Sequence, residues 1–142
     1  MLLIDVNVLL FAYRTETEGH AAYRSWLERT LRSSAQVGLS DLVLSAVVRI
    51  VTHPGIYREP TSLEAALQYV EWLRAQPRVI PVAPGLRHWQ IFTSLCRDTA
   101  VRGNVVTDAY FAALAIETGG EWITADRDYA RFPGLRWRHP LA

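Results

Sequence analysis

Apolar positions along the chain fall into two patterns: short continuous aliphatic runs, and longer stretches where apolar residues recur every three or four positions. The runs Leu2 to Val6, Gln36 to Leu39, Val79 to Val82, Glu121 to Ala125 and Leu135 to Arg138 read as strands. Their unbroken aliphatic character suits a parallel sheet covered on both faces. Between them, His20 to Arg32 reads as an amphipathic helix with Ala21, Tyr23, Trp26, Leu27 and Leu31 on its inner side. Ser40 or Asp41 caps the apolar stretch LVLSAVVRIVT, which Pro54 and Gly55 end. Thr61 or Ser62 opens a further helix, with Leu63, Leu67, Val70 and Leu73 near 3.6 spacing, and Pro77 stops it. Helices are also expected from Leu86 to Thr99 and from Asn104 to Thr118, the last closed by Gly119 and Gly120. Strands alternating with helices, without a tight hairpin signal, predict a three-layer α/β/α sandwich around a mainly parallel sheet of about five strands.

Length adds that residues 1–142 form one domain, large enough to bury a core unaided. No run approaches the roughly 18 apolar residues of a membrane span, and Asp5 interrupts the opening apolar run at once. A cytoplasmic protein that does not engage the membrane is expected. Net charge is +1, which gives no sign of a globally basic nucleic-acid binder. All fifteen basic residues are arginines, and the absence of lysine excludes Walker-type nucleotide sites and Schiff-base chemistry. The single Cys96 forms no internal disulfide and reads as a packing residue. His20, His53, His88 and His139 are scattered, without the spacing of a metal pair.

The informative residues are acids in apolar surroundings. Asp5 is the only charge in MLLIDVNVLLFAY, Asp108 the only charge between Asn104 and Ile116, and Asp126 follows the apolar stretch that ends the fourth strand. An unpaired carboxylate among aliphatic side chains is costly. Taken singly, Asp108 reads as a helix cap and Asp126 as a turn residue, whereas Asp5 has no obvious helix close by to serve. Taken together, all three lie at strand C-termini or in a first helical turn, the edge of a parallel sheet where ligands bind. Acids gathered there raise one another's pKa unless a cation neutralises them. Oxygen donors without histidine or cysteine suit Mg²⁺ or Mn²⁺, the ions of phosphoryl chemistry, and a phosphodiester is the expected substrate.

The stretches LLIDVNVLLFAY, NVVTDAYFAALA and ITADRDYARFPGLRW, in this order and spacing, resemble the PIN-domain ribonucleases, and within them the VapC toxins of toxin–antitoxin pairs. The resemblance covers essentially the whole chain. It implies a PIN-like α/β/α sandwich, Mg²⁺ or Mn²⁺ dependence, endonucleolytic cleavage of RNA, homodimerisation and a cognate antitoxin protein. By position, Asp5 matches the family's first acid, Asp108 the third and Asp126 the fourth. The second usually sits as a glutamate inside the helix after the second strand, where this chain has no carboxylate. Asp41, at the entrance to that helix, either reaches the site or serves as an N-cap.

Supporting roles are open to Asn7, facing the side of Asp5 on an extended chain or opening a helix, and to Thr107 and Thr124, as hydrogen-bond partners of the acids or simply as cap or strand-filling residues. Asp128 either assists the metal or pairs with Arg127 or Arg131. Arg14, Arg49, Arg102 and Arg127 are candidate phosphate contacts. Among the aromatic residues, Tyr69, Trp72 and Trp89 are candidates for a dimer or antitoxin surface. A phosphoaspartyl phosphatase or receiver domain is disfavoured by the missing lysine. The remaining rival is a catalytically weak or inactive PIN-fold module that binds RNA or protein.

Overall fold

A computed structural model describes residues 1–142. Five strands form one sheet: β1 (Leu2–Ile4), β2 (Val37–Ser40), β3 (Val79–Val82), β4 (Glu121–Ile123) and β5 (Trp137–Arg138). All neighbours are parallel, in the order β3-β2-β1-β4-β5. The helices are α1 (Val6–Tyr13), α2 (His20–Arg32), α3 (Asp41–Val51), α4 (Leu63–Arg74), α5 (His88–Thr99) and α6 (Val105–Thr118), with a 3₁₀ turn at Arg127–Arg131.

Strand order explains the layering. The connections β1 to β2 and β2 to β3 step one way across the sheet, and that from β3 back to β4 reverses. Right-handed crossovers therefore set α1 to α4 on one face and α5 and α6 on the other, as the packing of α1 on α3 and of α5 on α6 reflects. Leu3, Ile4, Val37, Leu39 and Ile123 are buried between the layers. Each such side chain contributes about 1.5–3 kcal/mol relative to exposure.

The sandwich and its parallel sheet are as the pattern predicts, with three local differences. β1 ends at Ile4 and α1 begins at Val6, so no extended chain separates Asp5 from a helix. This helix escapes the periodicity because VNVLLFAY is apolar at nearly every position and packs on several sides. The turn after Asp126 is a 3₁₀ helix, and β4 and β5 are shorter than the apolar runs that contain them. Finally, Ala21, Leu63 and Leu67 are exposed, while Ala66, Val70 and Leu73 carry the inner face of α4.

Candidate functional site

Strand order reverses between β1 and β4, and a crevice opens there at the C-terminal edge of the sheet. Asp5 leaves β1 into it. Its backbone is extended at φ −74° and ψ 158°, and its Oδ1 accepts the Val6 N–H at 2.6 Å, which makes it the N-cap of α1. The expectation that Asp5 has no nearby helix to cap is thus corrected. Capping occupies only one oxygen. Oδ2 accepts from the Thr124 hydroxyl at 2.7 Å and from Asn7 Nδ2 at 3.2 Å.

Asn7 and Thr124 make this arrangement rigid. Asn7 lies in the first turn of α1, not on an extended chain; its Nδ2 also donates to Thr124 Oγ1 at 3.2 Å, and its Oδ1 accepts the Ala125 N–H at 3.1 Å. Thr124 is fully buried and accepts the Asp126 N–H at 3.0 Å. The loop after β4 is therefore tied to the end of β1 through side chains. Both residues position the acids.

Asp108 stands in the first turn of α6 but caps nothing; its Oδ1 accepts the Tyr129 hydroxyl at 3.2 Å. Asp126 caps the 3₁₀ turn through the Asp128 N–H at 2.9 Å. Asp5, Asp108 and Asp126 line one cavity of about 450 Å³ together with Asn7, Thr107 and Tyr129. None of the three acids is in an ion pair. Burial pushes the Asp5 carboxyl up to about 7; the Thr124 and Val6 hydrogen bonds oppose the rise, and the charges of Asp108 and Asp126 add to it. Asp108 is also raised, by burial first, against the Tyr129 bond and with the Asp126 charge. Burial and these same acids push the Tyr129 phenol far above its ordinary range, so it stays a donor.

No three acidic, histidine or cysteine side chains close into a metal cage. The donor set nevertheless fits a hard divalent cation. Three carboxylates share a cavity, feel one another's charge and lack a compensating ion pair, while their oxygen chemistry matches Mg²⁺ or Mn²⁺.

Other assignments separate on geometry. Asp41 does not line the cavity. Ser40 is the N-cap of α3, leaving Asp41 as the first helical residue with an 81% exposed side chain, paired with Arg74 at 2.6 Å. The reach of Asp41 into the site is corrected accordingly. Asp128 is exposed and pairs with Arg131 at 3.6 Å, outside the cavity lining. Thr107 lines the cavity without bonding a carboxylate. Arg14 lies by another cleft: its guanidinium bonds Glu16, Thr61 and the Glu59 carbonyl and stacks 4.1 Å over Tyr57, a structural clamp. Arg102 and Arg127 are exposed and do not line the acidic cavity, whereas Arg49 does. Tyr69 donates to the Leu9 carbonyl at 2.8 Å and is largely committed to the fold; Trp72 and Trp89 remain exposed. Tyr129 is the site residue that the sequence did not single out. Its signal was an aromatic residue among charged neighbours, three positions after Asp126.

Comparison with known proteins places this geometry in context. A PIN domain model matches residues 2–135. Ribonuclease VapC43 of Mycobacterium tuberculosis is 45% identical over 99% of this chain and 96% of its own length. Ribonuclease VapC37 of the same organism is 37% identical over 100% and 99%. A toxin–antitoxin complex from Klebsiella pneumoniae contains a chain with TM-score 0.63 and 18% identity, covering 99% of this chain and 98% of that one.

Proposed function

From the premise that this chain belongs to the PIN-domain family, among the VapC ribonucleases, we propose that it is the toxin of a toxin–antitoxin pair and an endoribonuclease dependent on Mg²⁺ or Mn²⁺. The observation that carries this reading is the convergence of Asp5, Asp108 and Asp126 on one cavity with no cation of the chain paired to them.

Asp5, Asp108 and Asp126 would hold the ion. When bound, such an ion supplies a water acidified enough to serve as nucleophile and offsets charge on the phosphate oxygens. The chain's own part is to hold the acids in place. Val6 N–H, Thr124 and Asn7 fix Asp5; Tyr129 fixes one oxygen of Asp108 and leaves the other free; the Asp128 N–H orients Asp126. The substrate is RNA, the inhibitor a cognate antitoxin protein, and the working form a homodimer in the cytoplasm; no helix is long and apolar enough to cross a membrane.

One observation favours a second reading, a catalytically silent module that binds RNA or protein: α3 presents no carboxylate to the cavity. Incubation of purified protein with total RNA in Mg²⁺, in Mn²⁺ and in EDTA separates the two. Cleavage that requires the ion and is lost in Asp108→Ala, with folding retained, is expected. RNA bound but uncut under all conditions establishes the silent module instead.

A further inference from the structure

α3 borders the acidic cavity with Leu42, Ser45, Ala46, Arg49 and Ile50, an i, i+3, i+4, i+7, i+8 face. Arg49 is its only charged residue. It is also the only cation among the residues lining the cavity. An arginine beside three carboxylates is ordinarily consumed by them, yet Arg49 lies in no ion pair and donates no hydrogen bond. Arg14, by contrast, has every guanidinium nitrogen engaged.

We propose that Arg49 is a substrate-binding residue of this ribonuclease site, gripping an RNA phosphate across the cavity from the three acids. The inference rests on the ribonuclease reading above. Charge explains why the cavity benefits from it. Three carboxylates with one divalent cation retain one net negative charge, which repels a phosphodiester, and the Arg49 guanidinium cancels it. Its planar fork matches two phosphate oxygens at once. Ser45 and Ala46, one turn nearer the start of α3, are small and leave space beside it. An acid on this face would instead add repulsion that only a further cation could offset. Here an arginine occupies the face, so phosphate neutralisation is divided between a cation held by the acids and the chain itself.

The test is fluorescence anisotropy with a short labelled single-stranded RNA of mixed sequence, in Ca²⁺, repeated over a salt series, beside cleavage of the same RNA in Mg²⁺. Arg49→Ala is expected to weaken binding about tenfold and to flatten the log affinity against log salt slope by about 0.7. Arg49→Lys keeps the charge and the slope but restores only part of the affinity, because it lacks the fork. Arg49 is exposed, so both variants keep the unfolding temperature of the parent. Parent-like affinity and slope in Arg49→Ala, with the parent cutting RNA, overturn the Arg49 assignment alone. A parent that neither binds nor cuts RNA overturns the ribonuclease reading and Arg49 with it.

Discussion

The Thr124 hydroxyl donates to Oδ2 of Asp5 across 2.7 Å, joining residues 119 positions apart at the ends of adjacent parallel strands. It is the shortest side-chain link between β1 and β4, and Thr124 Oγ1 also accepts the Asp126 N–H. One hydroxyl thus positions two of the three acids. Replacement of Thr124 by Val keeps the shape and removes the hydroxyl. Stability is expected to fall by about 1–3 kcal/mol, since a buried charged acceptor loses a donor. The lowering influence on Asp5 also goes, so the pH at which cleavage reaches half its plateau shifts upward. Thr124→Ser restores both. Thermal unfolding and a pH–rate profile check this; an unchanged profile in Thr124→Val contradicts it.

The pH dependence of stability has a defined sign. Folding raises Asp5 from 3.8 to about 7, so between these values the folded chain holds the proton more tightly than the unfolded chain. The Asp5 contribution is fully present below about pH 4 and is lost as pH rises through about 7. Asp108 shifts in the same direction. In EDTA, the parent is therefore expected to lose unfolding temperature relative to Asp5→Asn as pH increases from 5.5 to 8. Mg²⁺ should stabilise the parent more at pH 8 than at pH 5.5, because the ion competes with the proton. Parallel curves for parent and variant contradict this account.

Asp41 supplies a control. Its pairing with Arg74 at the surface is worth less than about 1 kcal/mol, and it does not border the acidic cavity. Asp41→Ala is expected to cleave RNA within about twofold of the parent, the scatter that a surface substitution allows. A large loss of cleavage in a folded Asp41→Ala protein places the missing family acid at Asp41 after all.

Arg14 tests the opposite separation. Its guanidinium, 12% exposed as a side chain, joins the end of α1 to Tyr57, Glu59 and Thr61. Arg14→Met should cost about 0.5–1.5 kcal/mol of stability, because the hydrogen bonds to Thr61 and the Glu59 carbonyl are lost, while RNA affinity per folded molecule is unchanged. Denaturant unfolding and RNA binding measured together decide it.

How much of this was legible in the sequence depended on whether a signal was local. The aliphatic runs around Leu3, Leu39 and Ile123 betray a buried parallel sheet, and Gly119 at φ 69° closes α6 as its type suggests. Asp5, Asp108 and Asp126 stand out because a charge in apolar surroundings needs a reason. α1 was hidden because an almost wholly apolar octapeptide has no stripe. The choice between Ser40 and Asp41 as cap turns on one residue of register, which propensity does not resolve. The links of Asn7 to Thr124 and of Tyr129 to Asp108 arise only when β1, β4 and α6 come together, and no spacing within a segment encodes them.

The central claim is that Asp5, Asp108 and Asp126 jointly bind one divalent cation, and calorimetric titration of Mn²⁺ into the RNA-free protein tests it most directly. A single site is predicted for the parent. Asp5→Asn, Asp108→Asn and Asp126→Asn should each weaken it roughly a hundredfold, at the upper end of losses seen for outer-shell substitutions, with the fold intact by circular dichroism. Mn²⁺ binding that persists at parent affinity in any of these three variants contradicts the account.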